Sequence, residues 1–106
     1  MIVVRDVFKV KFGKAKDAVT LWKEGLALSK RVGYNSKSGR ILTDLVGPSY
    51  YTLVFESTFE SLSEYESAGK TVMSNPDWQA WYARVSPLLE TGHREIFTIA
   101  AESVIP

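Results

Sequence analysis

Few residues in this chain could do chemistry, and two stand out by type and position. Asp6 interrupts an apolar alternation formed by Ile2, Val4, Phe8, Val10 and Phe12, and His93, the single histidine, directly follows Gly92. A carboxylate among apolar side chains has its charged form disfavoured and can act as a general base on an acidic carbon or phenol. Imidazole is the side chain whose unperturbed titration falls near neutrality, which suits a proton carrier or a haem ligand. Asp6 and His93 are therefore the catalytic candidates. Each has an ordinary alternative that carries more weight. Asp6 can pair with an Arg or Lys, or turn outward at a β-bulge, because lone buried carboxylates are rare. His93 can be a solvated side chain at the start of a strand, and Arg5, Arg94 and Glu95 read in the same way as interface or surface charges.

A second group is aromatic. Trp22, Tyr65, Trp78, Trp81 and Tyr82 fall on helix faces that should meet a sheet, where indole and phenol groups can line a flat apolar pocket and offer polar handles. Aromatic stripes at helical spacing more often serve core packing, so both readings stand at this point. The chain has no cysteine, which excludes disulfides, thiolate nucleophiles and cysteine metal sites, and one histidine cannot make a multi-histidine metal centre. No Gly-rich phosphate loop, nucleophile elbow or acidic cluster is present, so neither a metal nor a cofactor is expected.

The elements that must position these residues follow from periodicity. Ile2 to Phe12 reads as a long first strand, ended by Gly13. Ala15, Ala18, Val19, Trp22 and Leu26 recur at helical spacing, predicting a helix from about Lys14 to Val32 with Gly33 as its C-terminal breaker. Asn35 to Gly39 reads as a loop. Arg40–Val46 and Tyr50–Ser57 form a hairpin around Gly47-Pro48-Ser49. Ser61 with Glu64 matches a capping box, and Asn75-Pro76-Asp77 is a second helix start. Pro87 can kink or end the last helix, while Leu88 and Leu89 keep the apolar pattern going to Gly92, and His93 to Ala101 alternates as a final strand.

The order β, α, β, β, α in two pieces, β predicts a single α+β domain over residues 1–106, a ferredoxin-like β-α-β-β-α-β fold with an antiparallel four-stranded sheet. With Phe8, Val10, Tyr51, Leu53, Phe55, Phe97 and Ile99 under the helices, the opposite face carries Val3, Arg5, Val7, Tyr50, Thr52, Val54, Ile96 and Thr98. That face is too apolar for water alone, so a homodimer through the open sheet face is expected, closed by a two-fold axis.

The composition, 45% hydrophobic and 24% charged, is that of an ordinary soluble domain, and no stretch approaches a membrane span. A formal net charge of +1 argues against nucleic acid as a partner. The opening MIVVRDVFKVKF lacks the pattern of a secretory signal, which makes a cytoplasmic setting the expectation. A basic first helix, with Lys14, Lys16, Lys23, Lys30 and Arg31, is diluted by Asp17 and Glu24 and reads as a solvated face.

Four segments together resemble a known family. Val7-Phe8-Lys9-Val10-Lys11-Phe12-Gly13-Lys14 resembles the opening of dimeric α+β barrel proteins. Ser61 to Glu66, Asn75 to Trp81 and Gly92 to Phe97 resemble, in order and spacing, the NIPSNAP-like branch of that superfamily. The resemblance implies a dimer with a pocket between helices and sheet in each subunit. It does not fix a reaction, because the same architecture hosts cofactor-free monooxygenases, haem-degrading enzymes, isomerases and dehydratases, and no catalytic motif matches residue by residue. The sequence thus points to a NIPSNAP-like protein that binds a small apolar or aromatic ligand in an aromatic-lined cleft. The alternative is a cofactor-independent monooxygenase or isomerase acting on an aromatic or polyketide-like substrate with help from Asp6 or His93.

Overall fold

The computed structural model describes residues 1–47 and 51–103. Strand β1 spans Ile2–Val10, helix α1 Ala15–Arg31, β2 Ser38–Thr43, β3 Thr52–Phe59, helix α2 Leu62–Met73, helix α3 Pro76–Val85 and β4 Leu89–Thr98, with a short 3₁₀ turn at Ser86–Leu88. The strands form one sheet in the order β2-β3-β1-β4, and every neighbouring pair is antiparallel. This is the ferredoxin-like arrangement expected from the element order. No helix among the described residues is long and apolar enough to cross a membrane.

Local chemistry sets most of the boundaries. Ser61 accepts a hydrogen bond from the Glu64 N–H at the start of α2, and Asn75 accepts from both Asp77 and Trp78 N–H groups at the start of α3, with Pro76 at its first position. Gly33 takes φ 105° just beyond α1, a conformation that favours glycine. One face of α1 is buried through Ala18, Trp22, Gly25, Leu28 and Ser29, and packs on the even residues of β1 and the odd residues of β3. Trp22, Phe59, Leu53, Val4 and Val85 are the largest fully buried apolar side chains.

Several strand ends differ from the sequence expectation, each for a physical reason. β1 stops at Val10 because its pairing with β4 shifts register between Lys9 and Val10, and Phe12 is left 86% exposed. β2 and β3 start and end differently from the predicted spans. The Lys37 N–H already bonds the Thr58 carbonyl, and Ser38 and Thr58 share a side-chain hydrogen bond of 2.6 Å, so pairing begins before Arg40. At the other end, Asp44 accepts the Thr52 N–H through its side chain, and Leu45 and Val46 are exposed. The turn residues Pro48 and Ser49, together with Tyr50, lie outside the described residues.

The larger correction concerns β4. The last helix does not run to Gly92: Pro87 falls in the 3₁₀ turn, and β4 begins at Leu89 with Gly92 inside it. Gly92 pairs with Phe8, and a Cβ there would come within 2.8 Å of the Phe8 ring, so the glycine is the space the ring occupies. The faces of β4 are also reversed. Val4 pairs with Ile96, Asp6 with Arg94 and Ile2 with Thr98, which sets Arg94, Ile96 and Thr98 on the helix side. Phe97 pairs with Val3 on the open face and is 52% exposed, and Ile99 lies beyond the strand. Tyr51, expected under the helices, precedes β3 at φ 63° and meets Phe12 edge-on.

The open face is more ordered in charge than its apolar content suggests. Arg40, Glu56, Arg5 and Glu95 stand opposite one another on β2, β3, β1 and β4, and alternate in sign across the whole sheet. Arg40 and Arg5 both bond the Glu56 carboxylate, Arg5 at 3.0 Å, and Arg5 lies 3.4 Å from Glu95. Val3, Val7, Leu42, Val54 and Phe97 flank this row.

Two helix glycines separate packing from propensity. A Cβ on Gly25 would lie 2.2 Å from the Trp81 ring, whereas nothing lies within 4 Å of one on Gly69. Gly25→Ala should therefore lower unfolding stability by about 1–3 kcal/mol through overpacking. Gly69→Ala should raise it by about 0.5–1 kcal/mol. Urea unfolding of both variants followed by circular dichroism checks the opposite signs.

Candidate functional site

A cleft of about 870 Å³ lies between α2, α3 and the β1–β4 half of the sheet. Helices α1 and α3 pack together, through Trp81 against Gly25, while α2 stands off from β4 and leaves the space open. Its apolar walls come from Phe8, Trp22, Phe55, Trp78, Tyr82 and Leu89. Asp6 and Arg94 on the sheet, and Tyr34 and Tyr65 above it, supply the polar groups.

Trp22 is 2% exposed and ringed by Phe8, Phe55 and Trp81, with centroid separations of 5.0, 5.4 and 4.8 Å. Its indole N–H has no hydrogen-bond partner among the described residues. A buried donor without an acceptor costs about 1–3 kcal/mol. The expectation for Trp81 is corrected. It is 2% exposed, donates its own N–H to the Leu21 carbonyl at 2.8 Å and does not line the cleft, so it locks α3 to α1. Trp22, Tyr65, Trp78 and Tyr82 do border the cleft, as placed from helical spacing.

Asp6 also points to this side. Its side chain is 15% exposed and accepts a 2.6 Å hydrogen bond from Arg94 Nε. The ion pair that the sequence offered as its ordinary alternative is thus formed, on the face under the helices and inside the cleft. Arg94 is the residue that sequence reading missed, because it was grouped with surface charges. The available signal was the need of Asp6 for a cation on the neighbouring strand, but the register that selects Arg94 is not visible in composition. Arg94 also sits against Tyr65, its guanidinium carbon 5.7 Å from the ring centre.

His93 does not join Asp6. It pairs with Val7 on the open face, where its Nε2 lies 3.2 Å from Glu95 Oε2, and only its place in the chain brings it to the cleft rim. The two catalytic candidates therefore stand on opposite faces of the sheet.

The phenols are tuned by their surroundings. Burial pushes the Tyr34 hydroxyl up to about 12, with Tyr65 and Asp6 adding to the rise and the hydrogen bond with Ser57, 3.0 Å, and Arg94 opposing it. Tyr65 is likewise raised, chiefly by burial, with Arg94 opposing. Both therefore stay protonated at neutral pH and can donate hydrogen bonds.

With the geometry in hand, comparison with known proteins decides the family. The NIPSNAP family profile matches residues 5–103. The chain belongs to the NIPSNAP family. Among solved structures, an uncharacterized NIPSNAP domain protein from Burkholderia xenovorans superposes with a TM-score of 0.82 at 20% identity, covering 99% of this chain and 100% of that one. A NIPSNAP family protein from Agrobacterium tumefaciens gives 0.78 at 22% identity, covering 91% and 82%. SnoaB, a cofactor-independent oxygenase from Streptomyces nogalater, gives 0.69 at 14% identity, covering 99% and 96%. These likenesses show the ferredoxin-like fold. A search of the curated proteins gives no match.

Because the folded Tyr34 phenol binds its proton more tightly than an unfolded tyrosine, its contribution to stability is constant below about pH 10 and is lost as pH rises toward about 12. Tyrosinate absorbance during alkaline titration should show a late component that Tyr34→Phe removes.

Proposed function

We propose that this NIPSNAP protein binds a small apolar or aromatic molecule in the cleft between α2, α3 and the sheet, and works as a homodimer. The observation that carries the reading is the cleft itself, about 870 Å³ with Trp22, Trp78, Tyr65 and Tyr82 around a few convergent polar groups. Its volume falls in the range of small-molecule sites, and a few polar groups amid aromatic walls are the usual means of orienting a flat ligand.

The open sheet face supports the dimer. Val3, Val7, Val54 and Phe97 are apolar, and the Arg40–Glu56–Arg5–Glu95 row satisfies its charges within one chain. A second copy can therefore cover the row without leaving an isolated charge. Phe97 is 52% exposed, and at roughly 25 cal/mol per Å² the apolar surface still open around it favours covering this face. The dimeric habit of the fold family favours the same partner, and the cysteine-free chain suits a cytoplasmic setting.

A second reading, a cofactor-independent monooxygenase or isomerase, has one specific observation behind it. Asp6 holds a carboxylate in the cleft, near two phenols that remain protonated at neutral pH. In this reading Asp6 takes a proton from an acidic carbon or phenol of the substrate, and His93 has no part in that step. Conversion of an anthrone by the wild type and its abolition in Asp6→Asn would favour the enzyme. Full retention in Asp6→Asn removes Asp6 as base.

Native mass spectrometry should show twice the 11.9 kDa chain mass, with a small molecule retained after gentle purification. Val7→Glu should shift the assembly to the monomer by adding a like charge near Glu56 and Glu95, while leaving the cleft intact. Trp78→Ala should release the retained mass and keep the dimer. A monomeric wild type would overturn the assembly, and an unchanged adduct in Trp78→Ala would overturn the cleft.

A further inference from the structure

The Asp6–Arg94 pair is asymmetric in a way that charge neutralisation alone does not require. The carboxylate is the buried member, with a side chain 15% exposed, and the guanidinium is the outward one, 56% exposed. A ligand entering the cleft therefore meets the cation first. Asp6 accepts from the Nε–H of Arg94, and the guanidinium's remaining edge, which also meets Tyr65, carries further N–H donors. Three restraints hold that group in place: the β4 backbone, the hydrogen bond to Asp6, and the Tyr65 ring against it. Tyr65 adds a hydroxyl donor beside it.

The other charges at the cleft do not cancel this arrangement. Glu90 lies 3.8 Å from Lys9, and Glu66 shares α2 with Lys70 one turn away. Opposite charges at i,i+4 on a helix attract each other weakly, so this acid and this base add little net charge to the rim. Arg94 is thus the cation whose own counter-ion is buried beneath it, which is the arrangement that presents a planar, oriented donor group to a bound oxyanion.

We propose that the cleft ligand carries a planar oxyanion, a carboxylate or the phenolate or enolate of a ring, seated on Arg94 and the Tyr65 hydroxyl. Its apolar body lies against Phe8, Trp78 and Tyr82. This assignment rests on the cleft being a ligand site and adds the chemistry that the ligand presents. Arg94 reads the charge, Asp6 orients Arg94, and the aromatic walls read the flat body.

Calorimetric titration of the full-length protein with 2-naphthoate and with 2-naphthamide separates charge from shape. The wild type should bind the carboxylate about tenfold more tightly or better, the gain typical of a charge-assisted hydrogen bond. The double variant Asp6→Asn/Arg94→Gln removes the cation without stranding its partner, and should lose that preference while binding the amide as before. Arg94→Lys, which keeps the charge but not the planar fork, should retain only part of it, and thermal melting confirms that each variant is folded. Equal affinities in the wild type, or a preference that survives in the double variant, overturn the oxyanion site and leave the cleft standing. Failure of both probes to bind the wild type overturns the cleft reading together with it.

Discussion

Strand β1 is hydrogen-bonded on both sides, to β3 and to β4, and its alternation commits every other residue to one face of the sheet. A slip of one residue would carry Val4 and Phe8 out of the core and bring Arg5 under the helices, so the register is strongly specified. Both features of interest follow from it. The even positions put Asp6 beside Arg94 in the cleft, and the odd positions put Arg5 between Glu56 and Glu95 on the open face. Two adjacent residues of one strand thus anchor two unrelated charge systems, separated by the thickness of the sheet.

The cleft exists because the helices are not packed equally. Gly25 lets the Trp81 ring reach the backbone of α1, which ties α3 to α1, and the ring meets Trp22 edge-on and Trp78 at a tilt, with centroids 4.8 and 4.6 Å away. Tyr65 meets Phe59 of β3 edge-on at 5.5 Å, Tyr82 tilts against Trp81 at 6.3 Å, and both line the cleft. Gly92 contributes from below, since the missing side chain lets Phe8 lie flat over β4. The same aromatic stripe that builds the core therefore also builds the site, and its members divide according to whether they face α1 or β4.

Charge on the open face is arranged in the opposite manner to charge in the cleft. The row through Glu56 is internally neutralised, two arginines against two glutamates. In the cleft the anion is buried and the cation is presented, as suits a surface that a small molecule touches. His93 belongs to the first system through Glu95, which explains why it stands apart from Asp6 despite neighbouring Arg94 in sequence.

Much of the fold was legible in the sequence by itself. Period-2 and helical patterns, the Ser61 and Asn75 caps and Gly33 are local signals, and local signals survive without knowledge of the partner elements. The helix faces that carry Trp22, Tyr65, Trp78 and Tyr82 to the cleft were legible for the same reason, whereas the packing of Trp81 depends on a glycine more than fifty residues away. The ends of β2, β3 and β4 were not legible, because a strand stops where its neighbour stops bonding it. The face of β4 and the identity of the partner of Asp6 were hidden too: Arg94, Ile96 and Thr98 alternate with Glu95 and Phe97, and either set could have met the helices. Only the antiparallel register with β1, a contact between residues 88 positions apart, decides that Arg94 faces the cleft and His93 does not.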